Sequence, residues 1–233
     1  MKITVINGQN HKGSTYNIGK MLLDNIPCEK NVSEFFLPKD LNCFCAGCYT
    51  CIEDETKCPY YKEKNVILRE IEQSDLLVFT TPNYCMAPSA PMKAFMDLSF
   101  TYWLSHKPRE CMFNKRAVVI SSTAGMGAKQ AIKPVARALF YWGVPWIKSY
   151  GISVQAMNWN GVLQKKKAKI EKDMKSFAKT LSKSTTPSVS IKTKLMFIMM
   201  ANMQKLNLGS SPTEKKYWEE HGWLGKERPW RRQ

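Results

Sequence analysis

Apolar residues along the first 155 positions alternate between short continuous runs and sets spaced at helical intervals. The continuous runs, rich in β-branched residues, predict strands at 3–6, 31–37, 75–80, 117–121 and 146–154. Between the strands, apolar residues recur every three or four positions. This spacing predicts helices over 15–26, 63–73, 91–104 and 129–141, and a last, lysine-rich helix over 165–183. Repeated βα alternation predicts an α/β fold with one doubly wound, five-stranded parallel sheet.

Four chemically unusual segments each follow one of the predicted strands directly. They are residues 7–15, 38–61, 82–88 and 122–127. Ligands of doubly wound sheets bind beyond the carboxyl ends of the strands, at the point where the strand order reverses. We therefore expect all four segments to lie at one edge of the sheet and to form a ligand site there.

The first of these segments, GQNHKGST, is small, polar or basic and stands between a strand and a helix. It lacks the Walker pattern, because Ser14 rather than Lys follows Gly13, and it contains no GxGxxG fingerprint. Its hydroxyl and amide groups ahead of a helix N-terminus suit a terminal phosphomonoester such as that of FMN. An ordinary βα loop with a Ser or Thr helix start explains the same residues, so the loop alone leaves both interpretations open.

The second segment carries the pattern C-x2-C-x2-C-x6-C-P, formed by Cys45, Cys48, Cys51 and Cys58. Three thiolates at intervals of three, with a fourth farther on, can surround an iron–sulfur cubane. Zinc sites built from two knuckles separate their pairs more widely. The alternative is a reduced cysteine loop that shapes a pocket or a subunit contact. Both interpretations remain open from the spacing alone.

Charge is distributed unevenly along the chain. The formal net charge is +16, and residues 156–233 hold 17 Lys and Arg against 6 Asp and Glu. A basic tail can bind nucleic acid or an anionic membrane, but apolar residues along one side of 165–183 indicate a packed helix with a solvated lysine face. The sequence has neither a run of eighteen apolar residues nor an N-terminal leader. We therefore expect a cytoplasmic protein with no membrane span and with reduced cysteines.

The C-terminal residues differ in composition from the rest of the chain. The breaker cluster at 184–188 predicts a linker, which divides the chain into a domain over 1–183 and an extension over 184–233. The extension is dense in Met and Trp, and we expect it to be helical and to pack on the sheet domain or on a second subunit. A basic, Met-rich helix can also lie on a membrane. The hypothesis is a homodimer, or a higher homo-oligomer, that uses residues 189–230.

Taken together, INGQNHKGSTYNIGKML, the cysteine loop, DLLVFTTPNYCMAPSAPMKAFMD and VVISSTAGMGAK occur in order between residues 2 and 180. This succession resembles the signatures of the flavodoxin-like NAD(P)H-dependent FMN reductases, in particular the branch that includes the iron–sulfur flavoproteins. The resemblance implies a flavodoxin-like sheet with the strand order 2-1-3-4-5, followed here by a helical C-terminal extension.

The resemblance also implies the residues of a cofactor site. The phosphate of FMN would be held by Gln9, His11, Gly13, Ser14, Thr15 and Asn17. The isoalloxazine would be lined by Pro82, Asn83, Tyr84, Cys85 and Met86, and at its other edge by Thr123, Ala124, Gly125 and Gly127. The iron–sulfur branch implies a 4Fe–4S cluster on Cys45, Cys48, Cys51 and Cys58.

The function that the resemblance implies is an FMN-dependent oxidoreductase that takes hydride from NAD(P)H. Its electrons would pass to a small acceptor (a flavin, a quinone or a nitroaromatic) or to a redox protein, with no nucleic acid as partner. No catalytic side chain is needed, because the flavin is the reactive group. One alternative is an electron-transfer protein with FMN, with or without a 4Fe–4S cluster, that has no direct nicotinamide site. A second alternative is a basic protein that binds a membrane or nucleic acid.

Overall fold

A computed structural model describes residues 1–183, 187–209 and 211–231, and within these ranges a five-stranded parallel sheet forms the centre of the molecule. The strands of the chain are β1 (Lys2–Asn7), β2 (Asn31–Phe36), β3 (Leu76–Thr80), β4 (Asn83–Tyr84), β5 (Ala87–Pro88), β6 (Arg116–Thr123) and β7 (Trp146–Ser153). The large sheet has the order β2-β1-β3-β6-β7, while β4 and β5 form a separate antiparallel hairpin. Every neighbouring pair in the large sheet is parallel. Because β6 and β7 are the fourth and fifth strands of the large sheet along the chain, this order is the predicted 2-1-3-4-5, which is confirmed.

Helices connect the strands and form the C-terminal extension. They are α1 (Ser14–Asp24), α2 (Thr50–Glu53), α3 (Tyr61–Gln73), α4 (Ala90–Leu98), α5 (Ala128–Tyr141), α6 (Gln164–Lys183), α7 (Ile191–Lys205) and α8 (Pro212–Glu220). Helix α4 ends at Leu98 rather than at the predicted residue 104. The Ser99 hydroxyl donates to the Phe95 carbonyl (2.8 Å), and the buried Lys64 ammonium donates to the Leu98 carbonyl (3.0 Å). The last carbonyls are thus satisfied by side chains, so the helix can end there.

Both faces of the sheet are covered, because its central strands are apolar throughout. All residues of β3 are buried, and their side chains alternate between the two faces. Phe79 packs with Trp142 on the face that α3, α4 and α5 cover. Val78 packs in the cluster of Ile18 and Ile170 on the face that α1 and α6 cover. This packing fixes the carboxyl ends of β1, β3 and β6 side by side.

The C-terminal extension is helical, as predicted, and it packs on the sheet domain, which is one of the two partners expected for it. Phe197 of α7 contacts Trp218 of α8 and Trp223, which follows that helix, and the three lie against Leu104 and Phe113. Full burial of one large apolar side chain contributes about 1.5–3 kcal/mol to stability. Leu104 and Phe113 belong to the segment that leads into β6, so the extension lies near the amino ends of the strands.

The boundary between the domain and the extension stays a prediction. Residues 184–186 of the predicted linker lie outside the described residues. On either side, α6 is described up to Lys183 and the chain is described again from Pro187.

Candidate active site

The loop after β1 leads into a helix whose N-terminus has no side-chain cap. Helix α1 begins at Ser14, and Gly13 precedes it in an extended conformation. Among the described residues, no side chain accepts a hydrogen bond from its first N–H groups, and its first turn holds no acidic residue. The ordinary Ser or Thr cap is therefore not what the loop provides. Its N–H groups and the positive end of the helix dipole are available to an anion.

A small cavity of about 20 Å³ lies over this helix start. It is lined by Asn7, Gln9, His11, Gly13, Ser14, Thr15, Tyr16, Thr80 and Pro82. Asn17, which the sequence also predicts here, does not line the cavity. Its amide donates to the carbonyls of Gly13 (2.8 Å) and Lys12 (3.2 Å), so it holds the loop in shape. The predicted site residues did not include three residues of the lining, Asn7, Tyr16 and Thr80. For Asn7 and Thr80 the available signal was a polar residue at the end of an apolar strand.

Hydrogen bonds join three of the loops that follow the strands. The Gly8 N–H donates to the Thr80 carbonyl (2.7 Å), and the Ser89 hydroxyl donates to the Gly8 carbonyl (2.6 Å). The hydroxyl oxygens of Thr15 and Ser122 lie 2.5 Å apart. The segments 7–15, 82–88 and 122–127 therefore meet at one edge of the sheet, as expected.

The segment after β3 folds into the tight hairpin of β4 and β5. Tyr84 pairs with Ala87, and between them Cys85 and Met86 have φ angles of 49° and 62°. Residues other than Gly, Asn and Asp rarely adopt this left-handed conformation, so the surrounding structure must hold the turn. The side chains of Tyr84 and Met86 are 45% and 46% exposed, which gives the site a partly open wall of apolar groups.

Asn83 connects this hairpin to the loop after β6. Its Nδ2 donates to the Met126 carbonyl (3.0 Å), which also accepts from the Thr123 hydroxyl (2.9 Å). The Asn83 Oδ1 is buried, and no described residue donates a hydrogen bond to it. A buried acceptor without a donor costs about 1–3 kcal/mol. The site therefore offers an unused acceptor to an N–H group of a ligand.

The loop after β6 requires glycine at one of its two glycine positions. Gly127 has φ 100°, and a Cβ there would lie 2.6 Å from both the Asn83 Nδ2 and the Met86 Sδ. Gly125 has neither constraint, because a Cβ there would meet no described atom within 4 Å. Ala124 and Gly125 are exposed, and the Ala124 carbonyl accepts from the Ser153 hydroxyl (3.1 Å). The side chains of Asn83 and Met86 can therefore lie against the backbone at residue 127 only because this residue is a glycine.

The four cysteines of the C-x2-C-x2-C-x6-C pattern line a single cavity of about 340 Å³. The other lining residues are Ala46, Gly47, Tyr49, Pro59, Tyr60, Asp97, Leu98 and Phe100. Among the described residues, no three His, Cys, Asp or Glu side chains are close enough together to hold a metal ion. The donor set, four thiols around one space, fits an iron–sulfur cluster in chemistry, and a bound cluster would need the thiols drawn closer together.

Two of these thiols have pKa values shifted in opposite directions. The Thr50 hydroxyl donates to the Cys48 Sγ (3.3 Å), and this hydrogen bond lowers the pKa of the exposed Cys48 thiol. Burial raises the pKa of the Cys51 thiol. At a given pH below both values, Cys48 therefore holds the larger thiolate fraction.

The cysteine loop does not join the other three loops. Within the described residues, no hydrogen bond connects residues 43–58 to the segments 7–15, 82–88 or 122–127. Instead, Arg109 donates to the Glu55 carboxylate, and the Thr213 hydroxyl of α8 donates to the Glu53 carboxylate. The expectation that all four segments share one edge is therefore met by three of them. The cysteines lie over the last turn of α4, which runs back toward the amino ends of the strands.

A family profile described as NADPH-dependent FMN reductase matches residues 1–156. Two curated relatives are iron–sulfur flavoproteins. One, from Archaeoglobus fulgidus, is 28% identical over 102 residues, which is 43% of this chain and 44% of that protein. The other, from Methanocaldococcus jannaschii, is 32% identical over 102 residues, which is 42% of this chain and 52% of that protein. The matches thus span about half the length of these relatives.

Solved structures with the same fold include two flavin-dependent enzymes. An FMN-dependent NADH-azoreductase from Bacillus anthracis, in complex with FMN, has a TM-score of 0.60 and 13% identity. The similarity covers 78% of this chain and 100% of that chain. An NADH:FMN oxidoreductase in its apo form has a TM-score of 0.55 and 16% identity, over 81% of this chain and 94% of that chain. At these identities the similarity establishes the flavodoxin-like fold.

Proposed function

Because the chain belongs to the NADPH-dependent FMN reductase family, we propose that it is an oxidoreductase that binds FMN where its three loops meet. Electrons would enter from NAD(P)H and leave to a small acceptor, such as a free flavin, a quinone or a nitroaromatic, or to a protein partner. The observation that carries this proposal is the hydrogen-bonded meeting of the three loops, which leaves N–H donors at one end and a buried acceptor at the other.

The phosphate end of FMN fits the uncapped start of α1. Ser14 and Thr15 begin the helix, and Gly13 ahead of it adds no side chain between the backbone and a ligand. His11 and Gln9 line the same small cavity, so polar groups surround the position that an anion would take. Because no acidic side chain lies in the first turn, nothing there opposes a negative charge.

The ring end of FMN fits the hairpin and the loop after β6. When bound, FMN supplies the chemistry that accepts a hydride and passes electrons onward. The chain's own part is to position the ring: Tyr84 and Met86 offer apolar surface, and the buried Asn83 Oδ1 offers an acceptor to a ring N–H. Gly127 allows the hairpin to approach the backbone closely. Pro82 lies at the junction of the two ends, since it also lines the cavity over α1.

Anaerobic reduction of the FMN-loaded protein by NADPH or NADH tests the proposed activity. We expect either nicotinamide to bleach the flavin absorption, and an added quinone or free flavin to restore it. The electron-transfer alternative predicts that dithionite bleaches the flavin while neither nicotinamide does. That second result would contradict the proposed oxidoreductase and leave FMN binding intact.

The cysteine loop supports a second proposal, a 4Fe–4S cluster held by Cys45, Cys48, Cys51 and Cys58. The support is the shared cavity that the four thiols line. A cluster there would act as an electron carrier. The loop that holds it is fixed in place by the hydrogen bonds that Glu53 and Glu55 accept from Thr213 and Arg109. Protein purified without oxygen should contain about four irons and four sulfides per chain. Iron-free protein after anaerobic reconstitution would contradict the cluster.

The homodimer stays a prediction of the sequence. Phe197, Trp218 and Trp223 of the segment 189–230 are buried in their own chain. A dimer through this segment would therefore use its exposed side chains, such as those on the outward side of α7. Light scattering of the full chain tests the prediction, and a monodisperse monomer would contradict it.

A further inference from the structure

Helix α7 carries apolar side chains on two opposite sides. Its inward side buries Phe197, Met200 and Ala201 against the rest of the extension. Its outward side exposes a second set of large apolar residues. This set, called the outer face of α7 below, consists of Ile191 (76% exposed), Leu195 (63%), Ile198 (40%), Met199 (48%) and, just beyond the helix, Leu206 (67%). A helix that is apolar on both sides is normally covered on both sides.

The outer face forms one continuous stripe. Ile191, Leu195 and Ile198 follow one another at intervals of four and three, which places them on the same side of an α-helix. The next position on this side is the polar residue Asn202, and the apolar residue Leu206 follows it four positions later. Isolated exposed apolar residues need no explanation, whereas a contiguous stripe indicates a surface for interaction.

Lysines border the stripe, and α7 contains no acidic residue. At about 100° of rotation per residue, Lys192 falls on one border of the outer face, while Lys194 and Lys205 fall on the other. The Lys192 ammonium lies 4.9 Å from the centre of the Phe140 ring. An apolar stripe with lysines on both borders is typical of helices that lie in the interface of an anionic membrane.

The lysines beside the outer face of α7 favour a lipid surface over a second copy of the chain as its partner. Two outer faces packed together would bring the lysines of both copies close to one another, which costs free energy. Anionic headgroups would neutralise the same lysines, while their alkyl stems extend along the apolar surface. The formal net charge of +16 adds long-range attraction in the same direction.

We propose that the outer face of α7 docks the protein on an anionic lipid surface. Ile191, Leu195 and Ile198 enter the boundary between headgroups and acyl chains, and the bordering lysines contact the headgroups. The helix lies in the plane of the membrane: no described helix is long and apolar enough to cross one. The docking is independent of FMN, because the outer face shares no residue with the loops that form the flavin site.

Vesicle flotation of the full chain tests the proposal. Vesicles of phosphatidylcholine alone are compared with vesicles that contain phosphatidylcholine and phosphatidylglycerol. We expect the protein to float with the anionic vesicles and to bind the neutral ones about tenfold or more weakly. The double variant Leu195→Glu, Ile198→Glu should lower binding to the anionic vesicles at least about tenfold.

The matched control is the double variant Val66→Glu, Leu163→Glu. Val66 and Leu163 lie outside α7 and are 59% and 68% exposed. Like the first double variant, this one replaces two exposed apolar residues with Glu, so the two variants change the net charge equally. We expect it to keep anionic-vesicle binding within about twofold of the unaltered chain. Circular dichroism and thermal melting check that both variants fold.

Three results would overturn the proposal. The first is no flotation of the unaltered chain with anionic vesicles at low salt, and the second is equal loss of binding in both double variants. The third is a chain that is dimeric by light scattering, ignores vesicles and becomes monomeric when Leu195 and Ile198 are changed to Glu. That last result would assign the outer face to a second copy.

Discussion

The hydroxyl oxygens of Thr15 and Ser122 lie 2.5 Å apart and join the start of α1 to the carboxyl end of β6. Thr15 follows β1 in the chain and Ser122 lies in a strand two places away in the sheet, so a single hydrogen bond crosses the end of β3. This bond fixes the helix start that would receive the phosphate relative to the loop that would border the ring. The geometry of the proposed site therefore depends on a pair of buried hydroxyls.

Replacing Thr15 with Val removes this hydrogen bond while keeping the shape of the side chain. The Ser122 hydroxyl would lose its partner, and the start of α1 would be held less firmly. We expect FMN affinity to fall by about tenfold, because loss of a buried hydrogen bond costs about 1–3 kcal/mol. Fluorescence titration with FMN measures the change.

Thr4→Val is the matched control for that variant. The Thr4 and Ser74 hydroxyls form a buried pair at 2.6 Å, at the amino end of β1 and away from the loops. This variant should lower thermal stability by a similar amount and leave FMN affinity unchanged. Equal loss of FMN affinity in both variants would indicate that Thr15 acts only through global stability.

Gly127→Ala and Gly125→Ala should differ sharply. At Gly127 the φ of 100° is unfavourable for Ala, and its Cβ would lie 2.6 Å from the Asn83 Nδ2. We expect Gly127→Ala to destabilise the protein by about 1–2 kcal/mol and to weaken FMN binding, because Asn83 must move. Gly125→Ala should change neither property measurably, since its Cβ meets open space. Chemical denaturation and FMN titration compare the two variants, and identical behaviour would contradict this description of the loop.

Asn83→Ala should weaken FMN binding by about tenfold, because it removes the unpartnered buried acceptor and one of the two donors to the Met126 carbonyl. The visible spectrum of the flavin that remains bound should also shift, since the ring loses a polar contact. Asn158→Ala is a suitable control, because the Asn158 side chain accepts only from the exposed Gly161 N–H among the described residues. An unchanged affinity in Asn83→Ala would remove Asn83 from the site.

Iodoacetamide should alkylate the thiols of the cysteine loop at different rates. In cluster-free protein, just below the ordinary thiol pKa of about 8.5, Cys48 should react first. Its lowered pKa raises its thiolate fraction, and it is exposed, whereas Cys51 is buried with a raised pKa. Mass spectrometry of the digested protein measures the order, and faster labelling of Cys51 would contradict it. Protection of both thiols after iron–sulfur reconstitution would support the proposed cluster.

The pattern of apolar residues was sufficient to predict the five-stranded parallel sheet, and the family resemblance implied its strand order. Strands such as β3 are apolar throughout, and the loops that follow them carry the polar and glycine residues that mark a ligand edge. The roles of Ser89 and Ser122 were missed, because a Ser near a strand end or helix start has no local signal that reveals a distant hydrogen-bond partner. The left-handed turn at Cys85 and Met86 was missed for a similar reason, since neither residue type favours that conformation.

The position of the cysteine loop could not be predicted from local pattern. Its placement depends on Arg109 and on Thr213, and the latter is separated from its partner Glu53 by 160 residues. The loop begins beside the proposed flavin site, where the Leu37 N–H donates to the Asn7 carbonyl (2.8 Å), and then turns toward α4 and α8. Strand order alone therefore places the start of the loop but not its cysteines.

Titration of FMN into the purified, cofactor-free chain decides whether the three loops form a flavin site. We expect quenching of flavin fluorescence with one FMN bound per chain and a dissociation constant of about 1 μM or lower, which corresponds to about −8 kcal/mol. A chain that stays colourless and does not quench FMN at about 1 mM, although circular dichroism shows it to be folded, would contradict the claim.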